Sequence, residues 1–213
     1  SAASDVYKRQ DVYVRIIDYK TGKKDFNIVK TYYGIDIQLM VYMEAAMKLV
    51  AKMRPGKNVI PAGVFYYNIS DPIVSATTES AEEIEDKIKG ELRLKGMVNS
   101  DKDIAEKMDN TEGTSLNIPV SRKADGGFDS RRSKVMNTEQ FNILGRFVDV
   151  RAIDTADRIA GGDIRRSPYK DGQFSSCDRC PYGAVCGFSV DLPGCNYRKL
   201  KKFDDEVLSL IHI

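Results

Sequence analysis

The chain has 213 residues, 33 Lys and Arg against 31 Asp and Glu, 42% hydrophobic residues, four cysteines and one histidine. That length suits one ordinary domain, alone or with a small appendage, and the composition is that of a globular chain able to bury a core. The single histidine, His212, is second from the end, so a Ser-His-Asp triad, a Cys-His dyad and a His-ligated zinc are excluded, and no apolar run is long enough for a membrane-spanning helix.

Residues 1–10 have neither helical nor strand periodicity, and residues 208–213 are apolar without a partner element. Both ends resemble translated adapter sequence, so residues 1–10 and part of 203–213 are expected to be foreign, with the natural protein continuing beyond them; ragged native termini are the alternative. Residues 12–19 are β-branched and aromatic and predict a largely buried strand, ended by a turn at 20–24. Across residues 34–54, Ile35, Leu39, Tyr42, Ala46, Leu49 and Met53 recur with a helical rhythm that Pro55 and Gly56 stop. Residues 62–69 predict a second strand, closed by Asp71 and Pro72. Residues 79–95 predict a charged helix buried along Ile84, Ile88 and Leu92. Residues 96–135 are polar apart from 116–120 and predict a long irregular excursion. Asn137, with Gln140 three residues on, is a capping-box start. The helix it opens runs through Phe141, Leu144, Phe147, Val148, Ile153, Ala156 and Ile159 and stops at Gly161 and Gly162. A loop-rich tail after Pro168 holds all four cysteines. The order strand, helix, strand, helix predicts a mixed α/β domain over residues 11–165 and a metal-stapled segment over 166–202.

Asp18 and Lys20 are two apart and therefore share one face of the first strand. The pair suits metal-assisted phosphodiester hydrolysis, the carboxylate holding Mg²⁺ and the lysine orienting or deprotonating a water. It equally suits a strand emerging into solvent with an incidental ion pair. Gln38 and Tyr42, four apart, share one helix face and reach toward the strand end, or are boundary residues satisfied locally. Cys177, Cys180 and Cys186 lie within ten residues, followed by Cys195, a thiolate-rich set suited to an iron–sulfur cluster or a four-cysteine zinc site. Lys23, Lys24, Arg165, Arg166 and the basic run at 199–202 are candidates for a DNA phosphate backbone, or are solvated surface charge.

Val14 to Gly22 (VRIIDYKTG), followed by Gln38 to Tyr42 (QLMVY), resembles the RecB-like branch of the PD-(D/E)XK nucleases. Within it the chain is similar to the AddB family, the B subunits of bacterial AddAB helicase–nucleases. Residues 60–67, Gly96-Met97-Val98, Ile118-Pro119-Val120 and the cysteine cluster agree, so the resemblance spans about residues 12–200. It implies a restriction-endonuclease-like core, a mixed sheet flanked by helices, truncated at its N-terminus and followed by an iron–sulfur staple.

By the same resemblance Asp18 is a Mg²⁺ ligand, the Tyr19 carbonyl a further ligand, Lys20 the catalytic lysine, and Gln38 and Tyr42 the Q-x-x-x-Y motif. Cys177, Cys180 and Cys186 supply three ligands of a [4Fe–4S] cluster whose fourth cysteine lies far upstream, which leaves Cys195 a bystander. The family also carries an upstream aspartate in a G-R-x-D-R strand, and nothing before Val12 matches it: Asp5 and Asp11 lack that context. One carboxylate is a poor Mg²⁺ site, so the fragment alone is expected to be inactive. The implied protein is a Mg²⁺-dependent exonuclease on single-stranded DNA from double-strand breaks, acting in homologous recombination in the reducing cytoplasm with an AddA-like motor subunit. A stand-alone RecB-like exonuclease of the CRISPR-associated kind and a non-catalytic zinc-ribbon DNA-binding module are the rival readings.

Overall fold

The computed structural model describes residues 11–69 and 80–200. The terminal segments expected to be foreign therefore lie outside the described residues, as do Asp71 and Pro72. The main sheet has four strands in the order β1 (Val12–Lys20), β2 (Val59–Asn68), β3 (Lys95–Asn99) and β4 (Val135–Met136). β1 runs parallel to β2, β2 antiparallel to β3, and β3 parallel to β4, which bears out the expected mixed α/β architecture.

β2 lies inside the sheet and is buried on both faces, as its nearly continuous apolar sequence requires. Val64 and Tyr66 point to one cluster, with Leu39, Met40 and Met43 of α2 (Gln38–Met53) and Phe141, Leu144 and Val148 of α5 (Thr138–Ala160). Phe65 points to the other cluster, with Val98, Ala105, Ile118 and Val120. β1 is half-buried, with Val14 its only fully buried residue, not largely buried as its composition suggested. Among the described residues it has a strand on one side only.

The helix expected over residues 34–54 begins at Gln38, and a separate short helix, α1 (Ile28–Tyr32), precedes it. Its core stripe is Leu39, Met40 and Met43, whereas Tyr42, Leu49 and Met53 are exposed. The helix is turned away from the expected stripe because its most apolar ridge faces Val64 and Tyr66. The charged helix α3 (Ala81–Leu92) has the capping box of Ser80 and Glu83 but buries no residue fully; Ile84, Ile88 and Leu92 are half-buried. α5 opens on the expected Asn137–Gln140 box. Its buried residues end at Val148, and Val150, Ile153 and Ile159 stay exposed, because no described element covers its last turns.

Residues 96–135 are not one irregular excursion. They contain most of β3, the helix α4 (Lys102–Met108) capped by Asp101, and the start of β4. The remaining loop is folded around the buried Asp109 carboxylate, which accepts from the Thr111 amide at 2.7 Å, the Ser115 hydroxyl at 2.7 Å and the Asn117 side chain at 2.8 Å. The Arg93 guanidinium ties the same loop to α3 through the carbonyls of Ile118 at 2.8 Å and Val120 at 3.1 Å. Beyond α5 a small second sheet forms from β5 (Tyr169–Asp171), β6 (Phe174–Ser175) and β7 (Arg198–Lys199), with the one-turn helix α6 (Gly183–Cys186) between β6 and β7. Among the described residues no helix is long and apolar enough to cross a membrane.

Two stability experiments follow from this packing. Burial pushes the Asp109 carboxyl up, but the bonds from Thr111, Ser115 and Asn117 outweigh it and hold the group down at about 2. A depressed carboxylate contributes stability above its unfolded value, near 3.8, and loses it as pH falls through the folded value. In acid titrations followed by circular dichroism, Asp109→Asn should therefore be less stable than the wild type above pH about 4, by about 2 kcal/mol. The gap should close toward pH 2. At Gly96 a Cβ would lie 1.9 Å from the Val64 carbonyl oxygen, so Gly96→Ala must part β3 from β2. It should cost at least about 2 kcal/mol in a denaturant melt. Gly90→Ala, in open space on α3, should be neutral or stabilising by up to about 1 kcal/mol.

Candidate active site

β1 ends in Asp18-Tyr19-Lys20, and its parallel register sets Asp18 opposite Tyr66 and Lys20 opposite Asn68. Alternation along the strand turns Asp18 and Lys20 toward α2 and leaves the Tyr19 side chain 66% exposed on the other face, edge-on to Tyr67 at 5.7 Å. Asn68 fixes the turn after the strand: its Oδ1 accepts from the Lys24 amide at 3.0 Å and its Nδ2 donates to the Lys24 carbonyl at 3.3 Å.

The Lys20 ammonium lies 2.7 Å from Asp18 Oδ2 and donates to Gln38 Oε1 at 2.9 Å. The Gln38 Nε2 donates in turn to the Tyr42 hydroxyl at 3.0 Å. The structure thus brings Asp18, Lys20, Gln38 and Tyr42 together, and the shared helix face read from sequence is what lets Gln38 and Tyr42 meet the strand end. The ion pair is not a surface pair, since the two side chains are only 27% and 17% exposed. In such a place a lone carboxylate would bear a heavy desolvation penalty, and the ammonium offsets it.

Three further residues belong to the cluster and were not singled out together by sequence reasoning. Asp36, two residues before Gln38, accepts on Oδ1 from the Lys24 ammonium at 2.9 Å and from the Tyr66 hydroxyl at 3.0 Å. Burial, then the Asp36 carboxylate and its hydrogen bond, then Asp18, push the Tyr66 phenol well above the usual tyrosine value. Lys24, expected to face DNA, is thereby engaged inside the cluster. Lys23 ion-pairs Glu91 at 3.5 Å, Arg165 grips Asp163 through two bonds, and Arg166 donates to the Cys186 carbonyl at 2.9 Å.

Asp18 Oδ2 is shielded from solvent and no donor meets it in hydrogen-bond geometry, although Lys20 stands close. An anionic oxygen with free lone pairs fits a hard divalent cation. Among the described residues, however, no group of three or more His, Cys, Asp or Glu gathers into a metal site. That holds for the cysteines too. Cys177, Cys186 and Cys195 are half-buried and Cys180 is exposed, all as free thiols, so their chemistry suits a cluster but their placement does not preassemble one.

A family model described as the PD-(D/E)XK nuclease superfamily matches residues 5–187 of the chain. Over 205 residues the chain is 38% identical to the B subunit of the ATP-dependent helicase/deoxyribonuclease of Caldanaerobacter subterraneus subsp. tengcongensis, covering 95% of this chain and 17% of that protein. Proteins of the same name from Clostridium acetobutylicum and Clostridium botulinum are 38% and 39% identical, over 96% and 93% of this chain and 18% of each relative. The chain thus spans less than a fifth of the length of these curated relatives.

Proposed function

Because the chain belongs to the PD-(D/E)XK nuclease superfamily, we propose that it is the nuclease region of an AddB-like helicase–nuclease subunit, cutting single-stranded DNA by Mg²⁺-assisted hydrolysis at the Asp18–Lys20 strand end. The observation that carries this reading is the ammonium of Lys20 held between Asp18 at 2.7 Å and Gln38 at 2.9 Å. Asp18, with the Tyr19 carbonyl, would hold the cation. When bound, it supplies positive charge at the scissile phosphate and acidifies a water.

The chain's own residues do the rest. A lysine ammonium has three N–H donors; one goes to Gln38, while Asp18 meets the ammonium by charge and not in hydrogen-bond geometry. That leaves an N–H to orient the attacking water or a phosphate oxygen. Tyr42 is half exposed and its oxygen accepts from Gln38, which leaves its own O–H free to donate to a neighbouring phosphate. Lys23, Lys24, Arg165 and Arg166 are the proposed backbone contacts, each shared with its present partner, so binding should weaken with salt.

The nuclease domain in this reading is residues 11–165, and 166–202 is a stapled appendage. What supports the staple is a missing core: no hydrophobic side chain beyond Val148 is buried among the described residues. A small segment without a core needs a covalent or metal clip. The proposed clip is a [4Fe–4S] cluster on Cys177, Cys180 and Cys186 with a fourth cysteine from elsewhere in a longer natural chain, in a reducing cytoplasm. An AddA-like subunit supplies the motor, and the pair prepares broken DNA ends for homologous recombination.

In the full-length natural chain, Lys20→Ala should lower Mg²⁺-dependent cleavage of a labelled single-stranded oligonucleotide by at least about a hundredfold in protein that circular dichroism shows still folded, with a lowered thermal melt because Asp18 loses its counter-charge. Wild-type cleavage by that variant would place the chemistry elsewhere. Anaerobically purified natural chain should contain iron and acid-labile sulfide, and Cys180→Ser should lose both; zinc in their place would contradict the cluster.

A further inference from the structure

Lys20 is held by more than the residues its chemistry uses. Tyr66, fully shielded from solvent and opposite Asp18 in the register, lies with its ring 5.5 Å from the Lys20 ammonium and 5.3 Å from that of Lys24. Each ammonium also has a carboxylate beside it, Asp18 for Lys20 and Asp36 for Lys24. Two ion pairs thus meet at one aromatic ring.

If only the ring mattered, a phenylalanine would serve, since a buried hydroxyl must be paired or it destabilises the fold. The Tyr66 hydroxyl is paired, at 3.0 Å, with Asp36. Asp36 lies two residues before Gln38, and its carbonyl is held by the buried Thr31 hydroxyl at 2.9 Å. The hydroxyl therefore ties β2 to the chain entering α2, while the ring of the same residue supports Lys20 on β1.

We propose that Tyr66, anchored by Asp36, is a positioning residue for Lys20: its ring sets where the ammonium rests, and its hydroxyl fixes the start of α2 so that Gln38 and Asp18 reach that ammonium together. The catalytic consequence rests on the nuclease reading; the geometry does not.

The experiment has a metal-free arm and a cleavage arm. In the first, the 213-residue chain is treated with limiting acetic anhydride without metal, and Lys20 acetylation is read by peptide mass spectrometry against exposed Lys57. Folded Tyr66→Phe and Asp36→Ala chains, checked by circular dichroism, should label at Lys20 about threefold faster than wild type. Asp36→Asn, which keeps an acceptor for the hydroxyl, should label more slowly than Asp36→Ala.

In the second arm, on the full-length natural chain, Tyr66→Phe and Asp36→Ala should each lower kcat about tenfold with KM for single-stranded DNA unchanged. The double variant should be no worse than the poorer single one, because both remove the same link. Wild-type Lys20 labelling in folded Tyr66→Phe and Asp36→Ala chains overturns the positioning role. Undiminished cleavage by Lys20→Ala sinks the nuclease reading instead, and the labelling arm then still decides the geometry.

Discussion

A carboxylate shielded from water at the end of a strand must have a cation beside it, and the described fold is arranged around that requirement at Asp18. Moving an isolated carboxylate out of water costs several kcal/mol, more than any one local contact here can return. Lys20 answers it from the same strand face. The answer holds only while that ammonium is kept from swinging into solvent. Gln38 does so from α2, and the Tyr66 ring from β2. Lys24 and Asp36 repeat the pairing one step further out.

The core explains why those groups can be held so closely. β2 is sealed on both faces, by α2 and α5 on one side and by α4 and the Asp109 loop on the other. A strand fixed in this way gives β1 a firm parallel register, and the register is what sets Tyr66 beside Asp18. Burial falls away with distance from β2. The end of α5 is uncovered, and the cysteine-bearing segment buries Ser175 but no large apolar side chain.

Much of this was legible in the residues, and the limits have physical causes. β1, β2, α2 and the cap of α5 are long or strongly signalled, and each appears in place with boundaries shifted by a few residues. The two-residue spacing of Asp18 and Lys20 and the four-residue spacing of Gln38 and Tyr42 are local geometry, so their shared faces could be read directly. β3 has five residues and contains Gly96, whose role is to let two backbones close up, which leaves no hydrophobic pattern to find. The stripe of α2 was misplaced because Tyr42 counts as apolar in a periodicity while its hydroxyl works at the surface. Asp36 and Tyr66 meet across 30 residues through a parallel crossover, and no local signal announces such a contact. The pairing of Asp109 with Ser115 and Asn117 was within reach, since all three fall in one short polar run.

The central claim is that Asp18 is balanced by Lys20 in a site made to accept a divalent cation. Crystals of the full-length natural chain soaked in Mn²⁺ and recorded at the manganese edge test it most directly. The account predicts an anomalous peak at bonding distance from Asp18 Oδ2, with the Lys20 ammonium moved off that oxygen but still on Gln38. A well-ordered site with Lys20 unmoved and no peak at Asp18 would contradict it.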